Sequence, residues 1–184
     1  DFADSLEGDD ADNALSGGRE DDTLIGLGGD DLLSGGRGAD SLDGGAGVDT
    51  ADYVLSTAGI DIDLAAGTAM GGDVEGDVLT DIEIIQASYQ DDTLRGDAQD
   101  NTFRGGRGAD LMDGRGGFDI ADYTRAEEAV TVNLGTGMGT AGEALGDTLI
   151  SIEKLVGSIH DDTFIGSSLA DVFDGRFGND TLQG

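Results

Sequence analysis

The 184-residue chain carries 40 acidic residues against nine basic ones, a formal net charge of −31, with 34 glycines, no proline and no cysteine. The charge sign excludes a nucleic-acid footprint and attraction to anionic lipid. The missing cysteine excludes disulfides and thiolate zinc, and the single His160 excludes a histidine cluster.

Of the acids, 32 are aspartate and eight glutamate, a balance that favours turns and oxygen ligands over a solvated helical surface. The eight arginines and Lys154 are scattered, as solubilising contacts with nearby carboxylates would be. No apolar run approaches the roughly 20 residues of a membrane span, so direct membrane insertion is not expected. Asp1-Phe2-Ala3-Asp4 lacks the basic start and apolar run of a signal peptide. The chain starts and stops inside its own repeats, so the remainder of a longer parent polypeptide is an expected neighbour.

In chain order, a nine-residue frame begins at Gly8, Gly17, Gly26, Gly35 and Gly44, and residues 8–52 are expected to form a first block. An intervening segment, 53–86, has no nonapeptides before residue 76 but still reads as β. Ile60-Asp61-Ile62-Asp63-Leu64 alternates strictly, and Ala65-Ala66-Gly67 offers a turn before Thr68-Ala69-Met70. The frame resumes at Ala87, Gly96, Gly105 and Gly114 (block 87–122), gives way to a second intervening segment, 123–156, and returns at Gly157, Gly166 and Gly175 (block 157–184, truncated). A 70-residue period overlies the short one: Asp52-Tyr53 recurs as Asp122-Tyr123, and Gly76-Asp77 as Gly146-Asp147.

Across the twelve nonapeptides, position one is Gly in all but Ala87, and position six is Asp in all but Asn13 and Asn101. Position eight is apolar every time, which an acidic linker has no reason to maintain. Each unit therefore splits into a six-residue turn and a three-residue strand whose middle side chain points inward. Glycines at positions one, two and four let the turn bend with its carbonyls exposed. Two units make a coil of 18 residues, so like turns stack about 4.8 Å apart.

Stacking places position-six carboxylates of alternate units in columns: Asp22 with Asp40, Asp31 with Asp49, and likewise Asp92, Asp110, Asp119, Asp162, Asp171 and Asp180, with Asn13 and Asn101 as weaker members. Carboxylates about 5 Å apart repel by about 3 kcal/mol at an effective dielectric near 20. Such a column stands only if protonated or filled with cations. Ca²⁺, which takes 6–8 oxygens from carboxylates and carbonyls, suits the gap better than octahedral, slowly dehydrating Mg²⁺. Same-side neighbours within the blocks give six complete slots, starting at residues 8/26, 17/35, 26/44, 87/105, 96/114 and 157/175, hence about six or more ions. Slots with Asn13 or Asn101, or without turn glycines at Ala87, Gln90, Gln99 or Leu169, are expected to bind more weakly. Asp77 and Asp147, at position six of degenerate units, are further candidates.

These nonapeptides resemble the GGxGxDxUx repeats of the RTX (haemolysin-type calcium-binding) family of secreted bacterial proteins; Gly35-Gly36-Arg37-Gly38-Ala39-Asp40-Ser41-Leu42-Asp43 and the copy at 105–113 carry the likeness best. The resemblance implies an all-β fold, a right-handed parallel β-roll interrupted by the two other β segments. It implies ligation by carbonyls of positions two and four as well: Gly18, Glu20, Leu27, Gly29, Gly36, Gly38, Gly45, Gly47, Gly106, Gly108, Arg115, Gly117, Arg176 and Gly178. It further implies one-step export of an unfolded chain that folds on meeting external calcium, placing the protein outside the cell or on the bacterial surface.

The functional expectation is a calcium-induced folding module serving as scaffold or stalk. High charge and few large apolar groups put the metal-free chain near the disordered boundary, and extracellular modules bind calcium with Kd of roughly 10⁻⁴ to 10⁻³ M. An alternative is calcium-dependent adhesion or cell-surface glycan binding, sought in the irregular segments 53–75 and 123–145. No enzyme is expected: the carboxylates recur as equivalents with no unique pair, His160 reads as an exposed turn residue, and Tyr53 and Tyr123 read as caps.

Overall fold

The structure, a computed structural model, describes residues 2–184. Among the described residues, twenty-one short strands form two sheets, one of thirteen strands and one of eight, and the only helical element is a single 3-10 turn, Gly142–Ala144. No described helix is long and apolar enough to cross a membrane.

In the repeats, consecutive strands alternate between the two sheets, and each pairs in parallel with the strand 18 residues further on. Leu15 lies opposite Leu33, Leu24 opposite Leu42, Leu94 opposite Met112 and Phe164 opposite Leu182. The chain is thus a β-roll of 18-residue coils. Position eight faces inward inside the roll, where Leu24, Leu33, Leu42, Leu94, Phe103 and Phe164 are completely buried, while Leu182 in the last coil is 46% exposed. With two such side chains per coil the core is one layer thin, and what happens in the turns matters correspondingly more.

Each intervening segment gives three strands to the thirteen-stranded sheet and one to the other. Between Ser41–Ala46 and Thr93–Arg95, the thirteen-stranded sheet takes in Val78–Thr80, Thr68–Met70 and Asp61–Asp63, in that order. Val78–Thr80 runs parallel to Ser41–Ala46, Thr68–Met70 runs antiparallel to both its neighbours, and Asp61–Asp63 runs parallel to Thr93–Arg95. The chain overshoots, then fills the gap backwards through two reversals. In the other sheet Thr50–Asp52, Ile84–Gln86 and Thr102–Arg104 pair directly. The same pattern recurs with Thr131–Asn133, Met138–Ala141 and Thr148–Ile150.

Each insertion therefore adds two extra strands, about 10 Å of sheet, to one face alone, and the coils must fan apart there. The widened interior is filled by Tyr53, Ile60, Ile62 and Val74 in the first case and by Tyr123, Val130, Val132 and Ala144 in the second, all buried. Arginines fasten the insertions to the roll. Arg115 donates to both carboxylate oxygens of Asp63, at 2.8 and 2.6 Å, and to the Gly96 carbonyl at 2.9 Å, holding the Asp63 carboxyl below its usual range. Arg37 pairs with Asp73 at 3.2 Å.

Candidate metal centres

The turns of the roll fall into two classes, distinguished by their backbone and by the fate of the position-six carboxylate. Seven are open: those beginning at residues 17, 26, 35, 44, 105, 114 and 175. In every one, positions two and four have φ between 62° and 155°, and these are the fourteen residues from Gly18 to Gly178 expected to offer carbonyls. Four of them, Glu20, Leu27, Arg115 and Arg176, are not glycine and hold the left-handed conformation at a cost of order 1–3 kcal/mol each. The carbonyls of these positions face the next coil. A methyl built on Gly36 would lie 2.3 Å from the Gly18 oxygen, and one on Gly38 would lie 2.2 Å from that of Glu20. Glycine is required at both places.

In the open turns the two carboxylate oxygens have different surroundings. Oδ1 accepts a backbone N–H from the preceding coil: Asp22 from Asp4 at 2.7 Å, Asp31 from Asn13 at 2.7 Å, Asp40 from Asp22 at 2.8 Å and Asp49 from Asp31 at 2.7 Å. Asp110, Asp119 and Asp180 accept in the same way from Asp92, Asn101 and Asp162. Oδ2 of Asp22, Asp31, Asp40, Asp49, Asp110 and Asp119 is buried without any hydrogen-bond partner. Asp180, in the last coil, is only half-buried.

Six enclosed carboxylate oxygens without donors would be costly as anions, and at Asp40, Asp49, Asp110 and Asp119 burial raises the carboxyl. Burial pushes Asp110 up to about 8 against the opposing Asp92 N–H, with the negative charges of Asp147 and Asp92 adding to the rise. Burial lifts Asp119 to about 6, with Glu153 contributing. Asp40 and Asp49 are raised for the same first reason, with Asp22 and Asp31 respectively as the nearest repelling charges. Among the described residues no three carboxylate, imidazole or thiol side chains converge. Any ion here must therefore draw heavily on backbone carbonyls, the donor mixture of a hard, oxygen-seeking cation.

The other five turns, beginning at 8, 87, 96, 157 and 166, are closed by the polypeptide itself. The position-two N–H donates to the position-six side chain: Asp9 to Asn13 at 2.7 Å, Ser88 to Asp92 at 2.9 Å, Asp97 to Asn101 at 2.9 Å, and Ser158 to Asp162 and Ser167 to Asp171 at 2.6 Å. The position-two side chain in turn accepts from the position-four N–H, as Ser88 Oγ does from Gln90 at 3.1 Å and Ser158 Oγ from His160 at 3.0 Å. The serine hydroxyls also donate to Asp92, Asp162 and Asp171. None of these turns has a left-handed residue at position two or four. The signal was in the sequence, as Ser or Asp at position two, where every open turn has Gly, Leu or Arg.

Asp77 and Asp147 form a third case. Oδ1 accepts from Asp40 N–H at 2.8 Å and Asp110 N–H at 3.0 Å, continuing the column across the insertion. Oδ2 accepts the buried hydroxyl of Tyr53 at 3.2 Å and of Tyr123 at 2.9 Å. Burial and the neighbouring aspartate hold both phenols well above their ordinary value, so they remain donors. A further ladder was not anticipated. Position-five aspartates accept N–H groups from the next coil, as Asp21 does from Ala39 at 2.9 Å and Asp91 from Ala109 at 2.9 Å. Part of the acid content is thus structural.

Comparison with known families settles the class. The family described as RTX calcium-binding nonapeptide repeat (4 copies) matches residues 1–24, 16–51, 25–62, 86–121 and 156–184, well over half of the chain. The chain belongs to the RTX calcium-binding repeat family. No curated protein matches it. Calcium binding follows from membership, and the RTX repeat is a structural, calcium-binding element rather than a catalytic one. The all-β parallel roll described above is the architecture that RTX repeats imply.

Proposed function

We propose that this RTX array is a calcium-driven folding module whose ions lie along the open turns. The observation that carries this reading is the set of six buried, donorless Oδ2 atoms, each in a turn whose position-two and position-four carbonyls face the column. A bound Ca²⁺ would supply the positive charge and the coordination these oxygens lack. The gaps 17/35 and 26/44 have open turns on both sides and should bind most tightly; gaps 8/26, 87/105, 96/114 and 157/175 have a closed turn on one side and should bind more weakly. Asp92, Asp162 and Asp171, satisfied by serine, and Asp77 and Asp147, satisfied by tyrosine, serve mainly as metal-independent supports.

Without calcium, repulsion within a chain of net charge −31 and a thin core oppose folding. With calcium, mass action contributes about 2.7 kcal/mol per independent site at a hundredfold excess over Kd. A module of this kind stays unfolded where calcium is scarce, as export of an extended chain requires, and becomes rigid outside the cell as scaffold or stalk for the rest of its parent protein.

Circular dichroism during a calcium titration, with magnesium as control and EGTA for reversal, tests the proposal. A cooperative gain of β signal near millimolar calcium, absent with magnesium, is expected. A fully folded spectrum persisting in excess EGTA at neutral pH would overturn it.

A further inference from the structure

The column of turns leading into the eight-stranded sheet does not end at the last nonapeptide of a block. After the open turn 44–49 its next member is the short connection between Val78–Thr80 and Ile84–Gln86, which contains Asp81, Ile82 and Glu83. This connection copies an RTX turn with a different sequence. Glu83 Oε2 accepts the Asp49 N–H at 2.9 Å, as Asp49 Oδ1 accepts that of Asp31 at 2.7 Å one coil earlier. Asp81 has φ of 48°, left-handed for a non-glycine residue.

The Asp81 carbonyl takes the place of a position-one carbonyl. It lies 2.2 Å from where a methyl on Gly44 would be, as the Gly44 carbonyl lies 2.5 Å from the equivalent point on Gly26. Asp49 Oδ2 is 2.6 Å from that same point above Gly44, is fully buried and has no hydrogen-bond partner. Asp49 Oδ2 and the Asp81 carbonyl thus lie together beside Gly44, as Asp31 Oδ2 and the Gly44 carbonyl do beside Gly26, 2.1 and 2.5 Å from its methyl position, with the Glu83 carboxylate next to them. Seventy residues on, the arrangement is repeated. Ser151 has φ of 50°, its carbonyl lies 2.2 Å and Asp119 Oδ2 2.4 Å from the methyl position on Gly114, and Glu153 Oε2 accepts the Asp119 N–H at 2.9 Å. Asp119 Oδ2 is likewise enclosed and donorless.

We infer that each of these places is an additional calcium site: one formed by Asp49, the Asp81 carbonyl and Glu83, the other by Asp119, the Ser151 carbonyl and Glu153. Each insertion thereby contributes half of the last calcium site of the block before it, and the ion links block to insertion. The inference rests on the calcium reading of the open turns and extends it to residues outside the nonapeptide frame. Across the two copies the carbonyl residue changes from Asp81 to Ser151 while the glutamate is kept, as expected if the backbone oxygen and the carboxylate do the binding.

The test counts ions on the full chain by elemental analysis after gel filtration in saturating calcium, for the parent chain and for Glu83→Gln, Glu153→Gln and the double variant. Glutamine keeps an oxygen for the Asp49 or Asp119 N–H but removes the charge. Each single variant should lose one ion and the double variant two, with β signal retained; Glu128→Gln, at an exposed position without partners, should lose none. Unchanged counts in all variants would overturn the inference while leaving the calcium module intact. A parent chain that binds no calcium would overturn both. Should Glu83→Gln fail to fold, the count on Glu153→Gln decides, since the longer first block is untouched in it.

Discussion

A position-six aspartate divides its oxygens between two tasks. Oδ1 ties its coil to the one before, and Oδ2 is left for a cation, for a serine or for a tyrosine. Tyr53 and Asp77 show the last arrangement most clearly, because the phenol reaches across the widened interior to the one carboxylate oxygen that the insertion would otherwise strand. Burial raises Asp77 to about 7 even with the phenol and the Asp40 N–H holding it down. Tyr53→Phe should therefore cost about 1–3 kcal/mol, the penalty for leaving a buried polar group unpaired. Raising calcium further should not recover the loss, since no open turn is touched. Urea unfolding of the calcium-loaded chain would measure it. An undiminished stability, or a loss that Asp77→Asn does not reduce, would show that the pair contributes little.

At the scale of the turn, one residue decides the class. Ser88 at position two closes its turn through its own N–H and hydroxyl, whereas Gly106, on the same side one coil later, adopts φ of 89° and leaves Asp110 Oδ2 free. Closed turns open each of the two later runs of nonapeptides (87 and 96, then 157 and 166), and open turns follow them, so metal-independent structure precedes metal-dependent structure along the chain. Ser88→Gly should cost the folded chain about 0.5–1.5 kcal/mol for each hydrogen bond removed and make the turn more dependent on calcium. The expected reading is a folding midpoint shifted to higher calcium in a calcium titration. An unchanged calcium midpoint would show that serine is not substituting for an ion. The strand positions were legible because position eight is apolar without exception; the turn class was harder to read because its decisive letter, at position two, is variable among Gly, Leu, Arg, Ser and Asp.

For the whole molecule, the raised carboxyls set a pH dependence. Asp77, Asp110, Asp119 and Asp147 rise to between about 6 and about 8 in the metal-free fold, chiefly through burial, from roughly 3.9 in an unfolded chain. A folded state with raised carboxyl values binds more protons than the unfolded one. The stability they contribute is therefore fully present below about pH 4 and is lost as pH rises through 6 to 8. In calcium-free buffer, β signal should grow as pH falls from about 8 to about 5, and calcium addition near neutral pH should release protons. A calcium-free spectrum that does not change over this range would contradict the account.

The 18-residue coil, the inward row at position eight, the acidic columns and the left-handed turn positions could all be read from the amino-acid order. They are consequences of local stereochemistry: a period of two in strands, and φ restrictions in tight turns. The alternating run at 60–64 likewise announced a strand, found at Asp61–Asp63, and the turn at 65–67 announced the reversal into Thr68–Met70. What the tertiary structure alone decided is where chains of unequal length meet. Asp40 joins Asp77 across 37 residues and Asp49 joins Glu83 across 34, not 18, because the insertion adds three strands to one sheet and only one to the other. No fixed period announces those partners. The charge that Glu83 presents to Asp49 and the hydroxyl that Tyr53 presents to Asp77 exist as interactions only once the coils have stacked.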